Sequence, residues 1–157
     1  MTMRVGLGFD VHAFGGDGPL VLGGVTVDDS RGLIGHSDAD VIAHAVADAL
    51  LGAAGMPDLG TLFPASDEGH RGTSSIALLR DVRARIGEAG WQVVNVDVAV
   101  AAETPPLAPH VAAMTATLAD AVMAPVGVKP KRTEGVGAIG RDEGIAAWAV
   151  ALLESTG

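Results

Sequence analysis

The chain has 157 residues, a formal charge of −9 and no cysteine. That length suits one domain with a core of its own, the charge argues against a nucleic-acid or anionic-membrane partner, and the missing thiols exclude disulfides and thiolate metal sites. Aromatic residues make up only 3%, so the core must be built from Val, Leu, Ile and Ala, while 22 glycines imply tight turns and close backbone approaches.

The first residues run directly into a strand-like segment, with no apolar h-region and no apolar run of membrane-spanning length, so a soluble cytoplasmic protein is expected. Residues 4–11 read as that strand, opened by alternating Val5 and Leu7. Positions i and i+2 of a strand leave the same face, which puts Asp10 and His12 side by side. Carboxylate and imidazole are two of the ligand types zinc prefers, and its catalytic sites use three protein ligands with one position open. His44 is the candidate third ligand. Asp-x-His alone is a short pattern that also arises by chance, with the histidine doing ordinary hydrogen bonding.

Residues 15–19 have a turn composition, and 20–25 suit a short second strand forming a hairpin with the first. Ser37 followed by Asp40 resembles a capping box for a helix over 38–54, with Gly55 as its stop. Asp38 and Asp40 then read as first-turn acids favouring the helix dipole. Asp48, one turn beyond His44, reads as an outer partner of that histidine or as an exposed acid. Residues 57–67 form a Gly/Pro-punctuated loop, and His70 beyond it reads as solvated.

An amphipathic helix is expected over 73–89, with Ile76, Leu79, Val82 and Ile86 on its stripe. A strand follows over 91–102, with Val94, Val96, Val98 and Val100 on a dry face. Pro105, Pro106 and Pro109 stiffen a turn into a helix over 110–123, where His110 is a structural residue. Residues 126–129 read as another strand. The run 144–154 fits a helix by its Ala and Leu content and equally a strand buried on both faces. With no repeat, low-complexity segment or linker, one α+β domain over 1–157 is the simplest organisation.

Four motifs stand in order: Gly8-Phe9-Asp10-Val11-His12; Gly35-His36-Ser37-Asp38-Ala39-Asp40 with His44 behind it; Asp58-Leu59-Gly60 with Phe63-Pro64; and Gly140-Arg141-Asp142-Glu143-Gly144-Ile145. Over residues 5–153 they resemble the 2-C-methyl-D-erythritol 2,4-cyclodiphosphate synthase family, the cyclase of the non-mevalonate isoprenoid pathway. The resemblance implies a four-stranded mixed β-sheet with a small hairpin, packed on one face by helices, and it makes 144–153 a strand. It implies a homotrimer with active sites between subunits, and a central cavity that takes an isoprenoid diphosphate.

The implied substrate is the small molecule 4-diphosphocytidyl-2-C-methyl-D-erythritol 2-phosphate, whose 2-phosphate attacks the β-phosphate of the CDP group and releases CMP. Such a transfer needs mostly positioning and charge neutralisation. By resemblance, Asp10, His12 and His44 hold Zn²⁺ or another divalent transition metal as Lewis acid and template. Glu134 holds a Mg²⁺ or Mn²⁺ that bridges the diphosphate. His36 and Ser37 take the 2-phosphate, and Asp58, Leu59 and Gly60 the methylerythritol part, with Phe63 and Asp67 on the same loop. Ala102, Glu103, Thr104, Pro105, Pro106, Leu107 and Ala108 cup cytosine, and Lys131, Thr133 and Arg141 complete the substrate contacts. His36 and Arg132 are the candidate catalytic residues. The attacking phosphate is already ionised, so no general base is required.

Three positions depart from the family pattern. Lys131 and Arg132 stand where consecutive threonines are usual, so a phosphate contact made by a hydroxyl is expected to be made by charge. Pro106 replaces a common lysine beside the cytidine pocket. Ala138 replaces an aromatic of the central cavity, while Arg141 and Glu143 remain at its mouth. Outside this context Glu134 reads as a surface acid. Two competing functions are a metal-dependent phosphohydrolase that uses water as nucleophile, and a non-catalytic trimer that binds isoprenoid diphosphates or a partner protein.

Overall fold

The computed structural model describes residues 1–70 and 72–157. Strand β1 (Met3–Gly16) is followed by a small pair, β2 (Leu20–Leu22) and β3 (Val25–Asp28), and by a two-residue β4 (Gly32–Leu33). Helix α1 (Val41–Ala54), the single turn α2 (Leu59–Leu62) and helix α3 (Ser75–Glu88) precede β5 (Trp91–Ala101). Helix α4 (Val111–Val122), β6 (Val126–Lys131), the turn α5 (Gly137–Gly140) and β7 (Gly144–Ser155) complete the chain.

The main sheet is mixed, in the order β4-β1-β7-β5-β6. Strands β5 and β6 run parallel, which requires a crossover, and α4 supplies it. Pro130 is tolerated because β6 lies at the sheet edge. One face of the sheet is dry. Ile145, Ala147, Ala149, Ala151 and Leu153 of β7 and Val96, Val98 and Val100 of β5 meet Leu50, Leu79, Ile86, Met114 and Leu118 of the helices. Helix α1 lies directly on the backbone of β1. A methyl group on Gly6 would fall 2.0 Å from the Ala49 carbonyl oxygen, and one on Gly8 only 1.8 Å from that of Ala45. These two glycines set the depth of α1, and so the height of His44 above the strand.

The opposite face is apolar and open. Val5, Leu7, Phe9 and Val11 of β1 and Trp148 and Val150 of β7 are exposed, Leu7 by 68% and Trp148 by 42%. The Phe9 and Trp148 rings meet at 5.3 Å. Residues 144–154 are therefore a strand, as the resemblance implied, but within one chain only one of its faces is fully covered.

Several expectations are corrected. The sheet has five strands rather than four, because Gly32–Leu33 pairs with the end of β1 through Phe14↔Leu33 and Gly16↔Gly32. The hairpin joins β2 to β3, not to β1, whose two edges are occupied by β7 and β4. Its tight turn uses Gly23 and Gly24, both at positive φ, where a side chain would be strained. Helix α1 starts at Val41 because Ser37 and Ala39 have positive φ and cannot extend it. The N-cap is Asp40, whose Oδ1 accepts from the Ala43 N–H at 3.0 Å. Asp40 also takes the Gly23 and Gly24 amides at 2.9 and 2.7 Å, tying the hairpin turn to the helix start. Among the described residues, no helix is long and apolar enough to cross a membrane.

Candidate metal centre and substrate cavity

Strand alternation turns Asp10 and His12 toward the helices, and α1 brings His44 down onto them. One Asp10 oxygen, Oδ2, lies 2.9 Å from His12 Nε2 and 3.0 Å from His44 Nδ1. The three ligand atoms lie within 4.8 Å of one another, half-buried. The other ring nitrogens are engaged: His12 Nδ1 donates to the Ile34 carbonyl at 2.8 Å, and His44 Nε2 lies 2.8 Å from Ser75 Oγ. His12 Nε2 is close to the carboxylate but off the hydrogen-bond direction, a buried nitrogen with no hydrogen-bond partner among the described residues. A buried acceptor without a donor, facing a carboxylate and a second imidazole, fits a divalent transition metal.

The carboxylate and the imidazoles perturb one another. Burial pushes the Asp10 carboxyl up, but the two imidazoles outweigh it and hold the group at about 2. The Asp10 carboxylate in turn raises the His12 imidazole above its ordinary range, against the effect of burial.

The triad forms one wall of a cavity of about 400 Å³. His36, Ser37, Leu59, Gly60, Phe63 and Asp67, all expected at the substrate, line it as well. Asp58 does not. Its side chain is turned back to cap α2, accepting from the Thr61 N–H at 3.0 Å. Asp48 also lines the cavity but makes no hydrogen bond to His44; it accepts from the Leu59 N–H at 2.7 Å, and burial raises its carboxyl. The outer partner of His44 is Ser75, which the sequence pattern did not single out. His70, read as solvated, is a wall residue instead, edge-on to Phe63 at 5.2 Å and 3.3 Å from Asp67.

A second cluster gathers the remaining expected residues elsewhere. Glu103 accepts from Arg132 at 2.8 Å and from the Thr133 N–H at 3.1 Å, and Arg132 holds the Glu103 carboxyl below its usual range. Thr104 donates to Asp142, the Ala102 N–H donates to the Lys131 carbonyl, and Leu107 is buried. Arg141 pairs with Glu143 at 2.7 Å on the surface, and Glu134 is exposed at positive φ. The buried hydroxyl of Thr133 has no hydrogen-bond partner among the described residues. None of Ala102, Glu103, Thr104, Pro105, Pro106, Leu107, Ala108, Lys131, Arg132, Thr133, Glu134 or Arg141 lines the triad cavity.

The register explains the separation. Asp10 is opposite Ala147, Ala147 opposite Val100, and Val100 opposite Pro130. Three strand spacings of that kind amount to about 14 Å. Within one chain the triad and the second cluster therefore lie on different parts of the sheet.

The family model described as the YgbB family matches residues 3–154. A 2-C-methyl-D-erythritol 2,4-cyclodiphosphate synthase of Bordetella petrii is 54% identical over 98% of this chain and 96% of its own length. That of Pectobacterium atrosepticum is 51% identical over 96% and 93%. Among solved structures, the bifunctional IspDF of Campylobacter jejuni superposes with a TM-score of 0.94 at 38% identity, over 98% of this chain but only 42% of that longer one. A Plasmodium falciparum IspF in complex with CDP gives 0.85 at 30% identity over 99% and 97%. With the metal triad in place and relatives matched end to end, the chain belongs to the YgbB family, the family of the 2-C-methyl-D-erythritol 2,4-cyclodiphosphate synthases.

Proposed function

We propose that this protein converts 4-diphosphocytidyl-2-C-methyl-D-erythritol 2-phosphate to 2-C-methyl-D-erythritol 2,4-cyclodiphosphate and CMP. An oxygen of the 2-phosphate forms a bond to the β-phosphorus, the bond from the β-phosphorus to the oxygen bridging it to the α-phosphorus breaks, and CMP leaves with that bridging oxygen. The observation behind this reading is the convergence of Asp10, His12 and His44 on a cavity wall shared with His36 and Ser37, in a chain of this family.

Asp10, His12 and His44 hold the metal, which when bound supplies Lewis acidity and a template for phosphate oxygens. His36 and Ser37 orient the 2-phosphate, while Leu59, Gly60 and Phe63 close over the apolar part of the substrate and keep water from competing as nucleophile. Asp58 fixes the α2 turn that carries Leu59 and Gly60. On the cytidine side, the turn over residues 102–108 receives the base, Glu134 holds the second divalent ion, and Arg132 with Lys131 supplies positive charge to the phosphates.

The absence of residues 102–108 and 131–134 from the triad's cavity supports an active site shared between subunits, and the open apolar face of β1 and β7 supports a homotrimer that buries it. Growth of a cyclic diphosphate pair in ³¹P NMR together with CMP, abolished by stripping metal and restored by zinc, is the expected result. Ring-free phosphate products with CMP would make it a phosphohydrolase, and intact substrate in every tube would sink the enzyme reading.

A further inference from the structure

Ser75 lies at the start of α3, is 1% exposed and lines no part of the cavity, yet its hydroxyl is 2.8 Å from His44 Nε2. Behind it stands Asp38. One Asp38 oxygen accepts from the Ser75 hydroxyl, and the other accepts from the Ser75 N–H at 3.1 Å. Ser37 Oγ lies 3.3 Å from His44 Nε2 and closer, at 3.0 Å, to Ser75 Oγ, to which it can donate.

A carboxylate can only accept, so the Ser75 proton goes to Asp38, and toward His44 the Ser75 oxygen is left as an acceptor. The ring nitrogen facing it must then carry the hydrogen. That leaves the Nδ1 lone pair directed at the Asp10 oxygen 3.0 Å away, where the ligand atoms converge. His12 is set by the same logic with opposite polarity: its Nδ1 faces the Ile34 carbonyl, also acceptor-only, which frees Nε2. One histidine is steered by a backbone carbonyl and the other by a hydroxyl backed by a carboxylate.

We propose that Ser75, oriented by Asp38, is a positioning residue that fixes the tautomer of His44 and presents Nδ1 to the metal. The proposal deepens the metal-site reading above and rests on it. It also accounts for Asp38, which lies outside the helix it was expected to favour, and for the close docking of the α3 start against the 36–40 turn.

The test is zinc affinity by chelator competition for the wild type, Ser75→Ala and Asp38→Asn, with thermal midpoints taken with and without zinc. Loss of an outer partner of a ligating histidine typically weakens metal binding about ten- to hundredfold. That loss is expected for Ser75→Ala, with a smaller loss for Asp38→Asn, which keeps the hydroxyl and removes only the charge behind it. The zinc-induced rise in midpoint shrinks accordingly, whereas a merely structural role would lower the metal-free midpoint and leave the rise intact. In the zinc-loaded wild type the His44 Nε2 proton is expected as a slowly exchanging NMR signal that is lost in Ser75→Ala. Unchanged affinity with the proton still protected overturns the proposal. A wild type that takes up no zinc overturns the metal reading, and the positioning role with it.

Discussion

Arg31 and Asp142 are 111 residues apart in sequence, yet the guanidinium Nη1 lies 2.8 Å from the carboxylate Oδ2 and Nη2 donates to the Asp142 carbonyl at 3.0 Å. Arg31 also covers the Phe14 ring at 3.4 Å, and Thr104 donates to the same carboxylate at 2.8 Å. Three segments meet at this clamp: the approach to β4, the corner after α5, and the turn assigned to the cytidine.

The clamp makes a pH prediction. Burial pushes the Asp142 carboxyl up, but the Arg31 and Thr104 hydrogen bonds outweigh it and hold the group below its ordinary 3.8. A depressed carboxyl contributes stability that is present above the unfolded value and lost as pH falls through the folded one. Asp142→Asn should therefore lower the urea midpoint at about pH 7 and narrow its gap from the wild type below about pH 3. A gap that stays constant with pH would remove Asp142 from the acid limb.

Gly8→Ala tests the seating of α1. The added methyl would meet a backbone carbonyl at 1.8 Å, which cannot rotate away as a side chain can. Overpacking costs typically about 1–3 kcal/mol, and moving α1 also lifts His44 from Asp10. We expect a large fall in unfolding midpoint together with weakened zinc binding. A variant matching the wild type in both would show that the helix can shift without consequence.

Arg132→Ala addresses the unusual Lys131-Arg132 pair. Hydrogen bonds to charged groups are worth roughly 1.5–3 kcal/mol, so loss of a phosphate contact should lower kcat/KM by about ten- to hundredfold. Glu103 loses its partner in the same variant, and Glu103→Gln controls for that. Unchanged turnover and affinity would place Arg132 outside the site.

Charge placed on the open sheet face tests the proposed homotrimer. Leu7→Glu with Trp148→Glu puts two carboxylates among exposed apolar side chains and leaves the dry face of the sheet untouched. Sedimentation velocity should show a monomer that retains zinc binding but has lost turnover. A stable assembly with full activity would locate the interface elsewhere.

How far the chain could be read in advance depended on how local each cause was. The period-2 pattern placed Asp10 and His12 on one face, and Gly55 at a left-handed φ ended α1 where its composition said it should. The β2–β3 pairing was missed because one edge of β1 is taken by β7, far along the chain, and the other by β4, which follows the pair itself. The start of α1 was misplaced because Asp40, not Ser37, has the side chain that reaches a free helix N–H. Ser75 was invisible for the same kind of reason: nothing around it in sequence refers to His44, and only the docking of α3 makes them neighbours.

Chemistry that depends on residue type and short spacing was present in the chain alone: the donor set of one carboxylate and two imidazoles, the glycines that allow close backbone contact, and the motif order that marks the family. Register and packing decided the rest. They chose which ring nitrogen of each histidine faces Asp10, turned the Asp58 side chain into a cap, drew His70 into the cavity wall, and kept residues 102–108 and 131–134 out of the triad's cavity. Spacing along a strand or helix is dictated by backbone geometry within a few residues, whereas distance across a sheet depends on which strands pair, and that is settled only when the whole core closes.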